Sequence, residues 1–199
     1  IIADDIYEKF VYDGTVFTSI ASLGKEVQDQ TMVINGVSKT YSMTGWRIGY
    51  AAGSADLIAA MDKVQTQNVS NPVSFCQKAA VEALAGPQGS VQKMVTEFDR
   101  RRKTIVQRLN AMPGVKCALP KGAFYVFPNI TGLFGKKWGD RVISNSSDVT
   151  DLILEEAKVA VVAGSGFGND NHIRFSYATS MANIEKGMDR IQEALKKLK

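Results

Sequence analysis

Cysteine, histidine and proline are scarce in this chain, and each shortage closes off a class of protein. Only Cys76 and Cys117 are cysteines among 199 residues, with no C-x-x-C pair. Neither a disulfide framework nor a thiolate zinc site is therefore encoded, and a reducing cytoplasm is the expected compartment. His172 is the single histidine. A metal cluster needs more ligands of that kind, and a Ser-His-Asp triad would also need a G-x-S-x-G elbow, which is missing. No apolar run reaches the ~18 residues of a membrane span. The opening Ile1-Ile2-Ala3-Asp4-Asp5 lacks the basic and apolar regions of a signal peptide, so no membrane partner and no export signal are expected. Lys plus Arg number 24 against 20 Asp plus Glu, a net charge of +4, too mild to announce nucleic acid as a partner.

What is present is the composition of a globular protein, 45% hydrophobic and 22% charged with five prolines, able to bury a core. Ile1-Ile2-Ala3 reads as the middle of a buried strand with no initiator Met before it, so the chain is expected to be cut from a longer one. Met32-Val33-Ile34 predicts a second strand and Trp46–Ala52 a third. After Ser54, a candidate N-cap, Leu57, Ile58, Met61 and Val64 keep the spacing of one buried helix face. A helix after Asn71-Pro72 carries Phe75, Ala79, Ala80 and Leu84 and stops at Gly86-Pro87. Strands interleaved with helices predict an α/β layer over residues 1–88.

Residues 89–199 change character. A long amphipathic helix is expected from about Ser90 to Ala111, with Val91, Met94, Val95, Phe98, Ile105 and Leu109 inward. Short strands follow at Val115–Leu119, Ala123–Phe127, Ala160–Ala163 and Ile173–Tyr177, with a helix near Asp148–Lys158. A last helix, about Met181 to Leu198, is striped by Ile184, Met188, Ile191 and Leu195. That pattern predicts a small α+β domain. Sequons at Asn68, Asn129 and Asn145 read as ordinary surface or turn residues.

The most informative segment is Gly36-Val37-Ser38-Lys39-Thr40-Tyr41-Ser42-Met43-Thr44-Gly45-Trp46-Arg47-Ile48-Gly49. A lysine stands at the carboxyl end of an apolar strand, the edge where open α/β sheets bind ligands, with an arginine eight positions later. A desolvated amine is a competent nucleophile for a carbonyl, and an arginine can grip a phosphate through two parallel hydrogen bonds. An aldehyde joined to a phosphate points to pyridoxal phosphate.

From Gly36 to Gly49 the chain resembles the lysine-attachment motif of the class I and II aminotransferases. Ser-Lys-Thr-Tyr-Ser-Met-Thr-Gly-Trp-Arg-Ile-Gly-Tyr is particularly similar to the aspartate aminotransferases of the bacterial and plastid subgroup. The resemblance implies the fold type I architecture of pyridoxal-phosphate transferases, here part of the large-domain sheet (1–88) and a small C-terminal α+β domain (89–199). It implies pyridoxal 5'-phosphate held by Lys39 as a Schiff base, with Arg47 on the phosphate and Ser38 adding a hydroxyl near it, although many relatives place their serine where this chain has Gly36. Asp4-Asp5-Ile6-Tyr7 resembles the family's Asp-x-x-Tyr, giving Asp4 to the ring nitrogen and Tyr7 to the ring oxygen, with strand alternation sending Asp5 to the opposite face. Arg174, in His172-Ile173-Arg174-Phe175-Ser176-Tyr177, matches the arginine that grips the substrate carboxylate.

The remaining features read as structural. Gly122-Ala123-Phe124-Tyr125 resembles a small-domain strand that closes toward the site. Gly164-Ser165-Gly166-Phe167-Gly168 fails G-x-G-x-x-G at Asn169 and is taken as a turn. Arg100-Arg101-Arg102-Lys103 is taken as a solvated helix face. The resemblance corresponds to the carboxy-terminal half of such an enzyme, so the chain alone is expected to turn over little or nothing. The parent is expected to be a cytoplasmic (or, in a plant, plastid) homodimer that passes an amino group between aspartate and a 2-oxo acid such as 2-oxoglutarate. The alternatives are another fold type I reaction, lyase or decarboxylase, or a non-catalytic fragment.

Overall fold

The computed structural model describes all residues, 1–199, and divides them into two compact units, Ile1–Val95 and Thr96–Lys199. The first unit is built on a three-stranded sheet. Strand β1 (Ile2–Asp4) leads through a long connection and the short helix α1 (Lys25–Asp29) to β2 (Met32–Gly36), then to β3 (Gly49–Ala52). The order is β1-β2-β3, with β1 and β2 parallel (Asp4 opposite Ile34) and β2 and β3 antiparallel (Gly36 opposite Gly49). Helices α2 (Ala55–Asn68) and α3 (Ser74–Ala85) follow. Helix α4 (Gly89–Asn110) begins in this unit, and the division falls inside it.

Three details depart from expectation. The third strand begins at Gly49, because Thr44–Trp46 form a 3-10 turn and Arg47 takes a left-handed conformation (φ 55°) that cannot join a ladder. No residue of α2 is buried: Leu57 is 42% and Val64 60% exposed and Ile58 only half-buried, so the stripe read as a core face is not enclosed. In α3 it is Cys76 and Ala80 that are buried, packing with Val37 and Ile48, while Phe75 is 66% exposed.

The second unit holds the rest of α4 and a second antiparallel sheet. Its strands are β4 (Tyr125–Val126), β7 (Val162–Ala163) and β8 (Ile173–Ser176), in the order β4-β8-β7. A hairpin, β5 (Lys137–Trp138) with β6 (Arg141–Val142), has no counterpart in the sequence reading. The expected strand at Val115–Leu119 is reduced to one bridge, Lys116 with Asn129. Helix α5 (Ser146–Leu152) is capped by Asn145, whose side chain accepts from the Asp148 N–H at 2.9 Å, and it runs on into a π-type turn, Ile153–Ala157, stopped by left-handed Lys158. Helix α6 (Met181–Leu195) is capped by Ser180 and buries Ile184, Met188 and Ile191. With Phe98, Ile105 and Leu109 of α4 also buried, the stripes expected on both long helices form this unit's core.

One helix face corrects the sequence reading. Arg102, grouped there with a solvated run, is 0% exposed. Its Nε donates to Asp99 at 2.9 Å and its Nη1 to the Pro120 carbonyl at 2.6 Å. Four consecutive residues spread around a helix, so one of the four cations had to face inward. Arg100 and Arg101 instead donate to Glu97.

Candidate functional site

In the first unit the sheet topology gathers the predicted residues to one edge. β1 and β2 run in parallel and end at Asp4 and Gly36, and β3 starts at that same end because it runs back. Asp4 terminates β1, Ser38 and Lys39 follow β2, and Arg47 precedes β3. The Val37 N–H donates to the Ile48 carbonyl at 3.3 Å, carrying the β2–β3 pairing to the residues next to Ser38 and Arg47. Gly36 allows this approach: a Cβ there would stand 2.9 Å from the Ile48 oxygen and 3.2 Å from the Gly49 Cα, both backbone atoms that cannot swing aside.

Lys39 sits on a turn held from both sides. Val37 is fully buried, the Tyr41 N–H donates to the Val37 carbonyl at 3.2 Å, and the Ser42 N–H donates to the Lys39 carbonyl at 3.2 Å. The Tyr41 hydroxyl reaches Gln88 at 3.2 Å, and Tyr41 packs on the Val37 cluster. Burial, and then the Glu8 carboxylate, push the Tyr41 phenol above its ordinary value. The Lys39 Nζ lies 6.0 Å from the centre of the Tyr7 ring, within cation–π range. Ser42 (φ 54°) and Arg47 (φ 55°) are both left-handed non-glycine residues, a conformation costing roughly 1–2 kcal/mol each. Such strain concentrates where backbone is held for function.

Asp4 is exposed, and its Oδ1 accepts from the Ile6 N–H at 3.2 Å. The exposed Arg47 side chain donates from Nη1 to the Thr44 carbonyl at 2.8 Å, and no carboxylate pairs with it. It also borders an open groove of about 610 Å³ with Trp46, Asn71, Phe75 and Cys76. Ser38 is half-buried beside Lys39. A carboxylate, a phenol, an amine and a guanidinium thus share one sheet edge, the donor set that a phosphorylated, nitrogen-containing aromatic aldehyde requires.

Arg174 belongs to the second unit, on β8, between Ile173 and Phe175, which are buried. Alternation turns its side chain to the other face of the sheet. There the guanidinium carbon lies 4.6 Å from the Tyr125 ring centre and 4.4 Å from that of Phe167. It forms no ion pair.

The model of "Aminotransferase class I and II" matches residues 1–191. The chain belongs to this family. An aspartate aminotransferase of Bacillus sp. (strain YM-2) is 47% identical over 98% of the chain and 49% of its own length. The crystal structure of the aspartate aminotransferase from Rhizobium meliloti matches with a TM-score of 0.96 at 45% identity, covering all of this chain and 50% of that one. The aromatic aminotransferase from Pyrococcus horikoshii matches at 0.88 and 42%, over 98% of this chain and 50% of that one. The chain spans about half the length of the relatives it matches.

The aminotransferase class I and II fold accounts for the mixed α/β unit and its α+β companion, as the Gly36–Gly49 motif led one to expect. Two side chains at Arg174 escaped the sequence reading. Along the sequence Tyr125 reads as part of a structural strand and Phe167 as part of a turn; the one local signal is an aromatic residue, Phe167, among glycines.

Proposed function

We propose that this chain carries the lysine-bearing half of a pyridoxal-phosphate-dependent aminotransferase, the activity in full belonging to a polypeptide of family length. The observation that carries the reading is the placement of Lys39, its amine over the Tyr7 ring, on the sheet edge that also bears Asp4 and Arg47. Lys39 would hold the cofactor's aldehyde carbon, Asp4 its ring nitrogen, Tyr7 its ring oxygen, and Arg47 with Ser38 its phosphate. Residues 1–88 form the cofactor-binding part in this reading, and residues 89–199 the small domain.

When bound, the cofactor supplies an electron-accepting ring beside the substrate Cα. Lys39 Nζ would serve as the general base that accepts the substrate Cα proton and as the acid that gives it up again. The Asp4 carboxylate favours the protonated ring nitrogen, since an opposite charge stabilises the charged form. Arg174 would bind a substrate carboxylate through the N–H donors of its rim. The substrates proposed are an amino acid, aspartate first, and a 2-oxo acid, 2-oxoglutarate first, in a cytoplasmic homodimer. The similarity to an aromatic aminotransferase of Pyrococcus horikoshii makes an aromatic amino acid the competing donor to assay beside aspartate.

The test is incubation of the chain with pyridoxal phosphate, borohydride reduction and peptide mapping. Label is expected on Lys39 and lost in Lys39→Ala. Label absent, or scattered over surface lysines of the wild type, would refute the assignment. Little turnover of aspartate with 2-oxoglutarate is expected from these 199 residues alone.

A further inference from the structure

We propose that Tyr125 and Phe167 are positioning residues that clamp the Arg174 guanidinium and present its edge to a substrate carboxylate. The inference rests on the reading of Arg174 given above and extends it to side chains outside the family motifs. A guanidinium is planar, with its N–H donors around the rim. Ring contacts engage the faces of such a cation and leave the rim for a planar two-oxygen anion, the geometry of bidentate carboxylate binding. At 4.6 and 4.4 Å, both rings stand well inside cation–π range. An arginine tied up by a carboxylate of its own chain could not do this job, and Arg174 has none.

The clamp is built from two sides of the chain. Tyr125 comes from β4, next to β8 with Tyr125 opposite Ser176. Phe167 comes from the turn Gly164–Phe167, closed by left-handed Gly168 (φ 75°). That turn is tied to the residues just before Arg174: the Gly164 N–H donates to the His172 carbonyl at 2.9 Å, and the Asn169 N–H donates back to the Gly164 carbonyl at 3.0 Å. A Cβ on Gly164 would come within 2.1 Å of the His172 oxygen, so a glycine is required for the turn to sit this close. The Phe167 ring is also backed. Phe127 meets it edge-on at 6.1 Å and itself stacks on the His172 ring at 4.9 Å. Phe167 remains 49% exposed, a ring held against a cation and not a member of the core.

The test uses the 199-residue chain and the arginine reagent phenylglyoxal, with 2-oxoglutarate as the protecting carboxylate and peptide mapping to follow Arg174. In the wild type 2-oxoglutarate slows modification of Arg174. In Phe167→Leu and Tyr125→Leu the concentration giving half protection rises about fivefold, as loss of one partly exposed cation–π contact allows, and Phe167→Tyr restores the wild-type value. The tyrosine variant separates loss of the ring from loss of the fold. Equal protection in wild type and Phe167→Leu overturns the clamp and leaves the carboxylate role of Arg174 standing. No protection in the wild type overturns that role and the clamp with it, whatever the outcome of labelling at Lys39.

Discussion

Seven buried apolar residues form the core of Ile1–Val95, whereas twenty-three are buried in Thr96–Lys199, a unit of similar length. The first unit leaves sixteen large apolar side chains exposed and the second six. Yet the first carries the lysine motif, with left-handed Ser42 and Arg47 inside it. The contrast teaches that the part of the chain richest in chemistry is the part that covers its own apolar surface least. The second unit is a packed body in which Arg174 lies against the Tyr125 and Phe167 rings.

The largest effect expected from this contrast is in the cores. Leu152→Ala, at a fully buried position, should lower the unfolding free energy by about 2–5 kcal/mol, and Leu57→Ala on α2 by less than about 0.5 kcal/mol, both read by urea titration. An equal cost at the two positions would show that the α2 face is covered in solution, by self-association for example.

Arg102→Ala should rank next. It removes a buried cation from Asp99 and the Pro120 carbonyl and should cost about 2–3 kcal/mol, below the value for a fully enclosed pair because Asp99 is partly exposed. Arg100→Ala, on the outer face of the same helix, should lower the melting temperature much less, because its pair with Glu97 is exposed to solvent. If both variants melt alike, the burial of Arg102 contributes nothing.

Acid should then weaken the second unit. Hydrogen bonds from the Ser144 hydroxyl and N–H hold the Asp148 carboxyl below its ordinary value, and hydrogen bonds from Arg100 and Arg101 hold Glu97 at about 2. Burial pushes Asp99 up, but Lys103 and Arg102 together bring it below the usual range. Each folded-state value lies below the unfolded one, so the stability these groups confer is full above the ordinary carboxylate range, near pH 4, and is lost as pH falls through the folded values. Denaturation midpoints followed from pH 7 to pH 2 should fall, and Asp148→Asn should flatten the fall. A midpoint for Asp148→Asn as steep in pH as the wild type would contradict its part.

The smallest effect expected is kinetic. Cys76 and Cys117 are both buried and free, and burial pushes the Cys117 thiol up to about 11. A thiolate-selective reagent at pH 8 should modify Cys76 before Cys117, because the thinner unit opens more readily and the Cys117 thiol stays protonated. Modification in the reverse order would break the comparison.

Much of the candidate site was legible because its signal is local. Lys39, Ser38 and Arg47 fall within fourteen consecutive residues, and the types that chemistry demands stand in one stretch. The stripes of α4 and α6 were legible for the same reason, since a helix face repeats every three to four residues. Illegible were features decided by distant partners. Arg102 turns inward because Pro120, eighteen residues on, offers a carbonyl, and the apolar stripe of α2, regular as it is along the chain, ends with no residue buried. The clamp at Arg174 was invisible because Tyr125 and Phe167 reach it through strand pairing and a glycine turn.

The sequence by itself determined the family, the lysine and its neighbours, and the alternation of strand and helix, because local pattern and residue chemistry suffice for these. Tertiary structure alone decided which residues meet. The parallel run of β1 beside β2 and the return of β3 put Asp4, Lys39 and Arg47 at one sheet edge. The pairing of β4 with β8 and the turn closed at Gly168 put two aromatic rings against one guanidinium. Such encounters depend on register and backbone approach, which link positions tens of residues apart and leave no periodic trace along the chain.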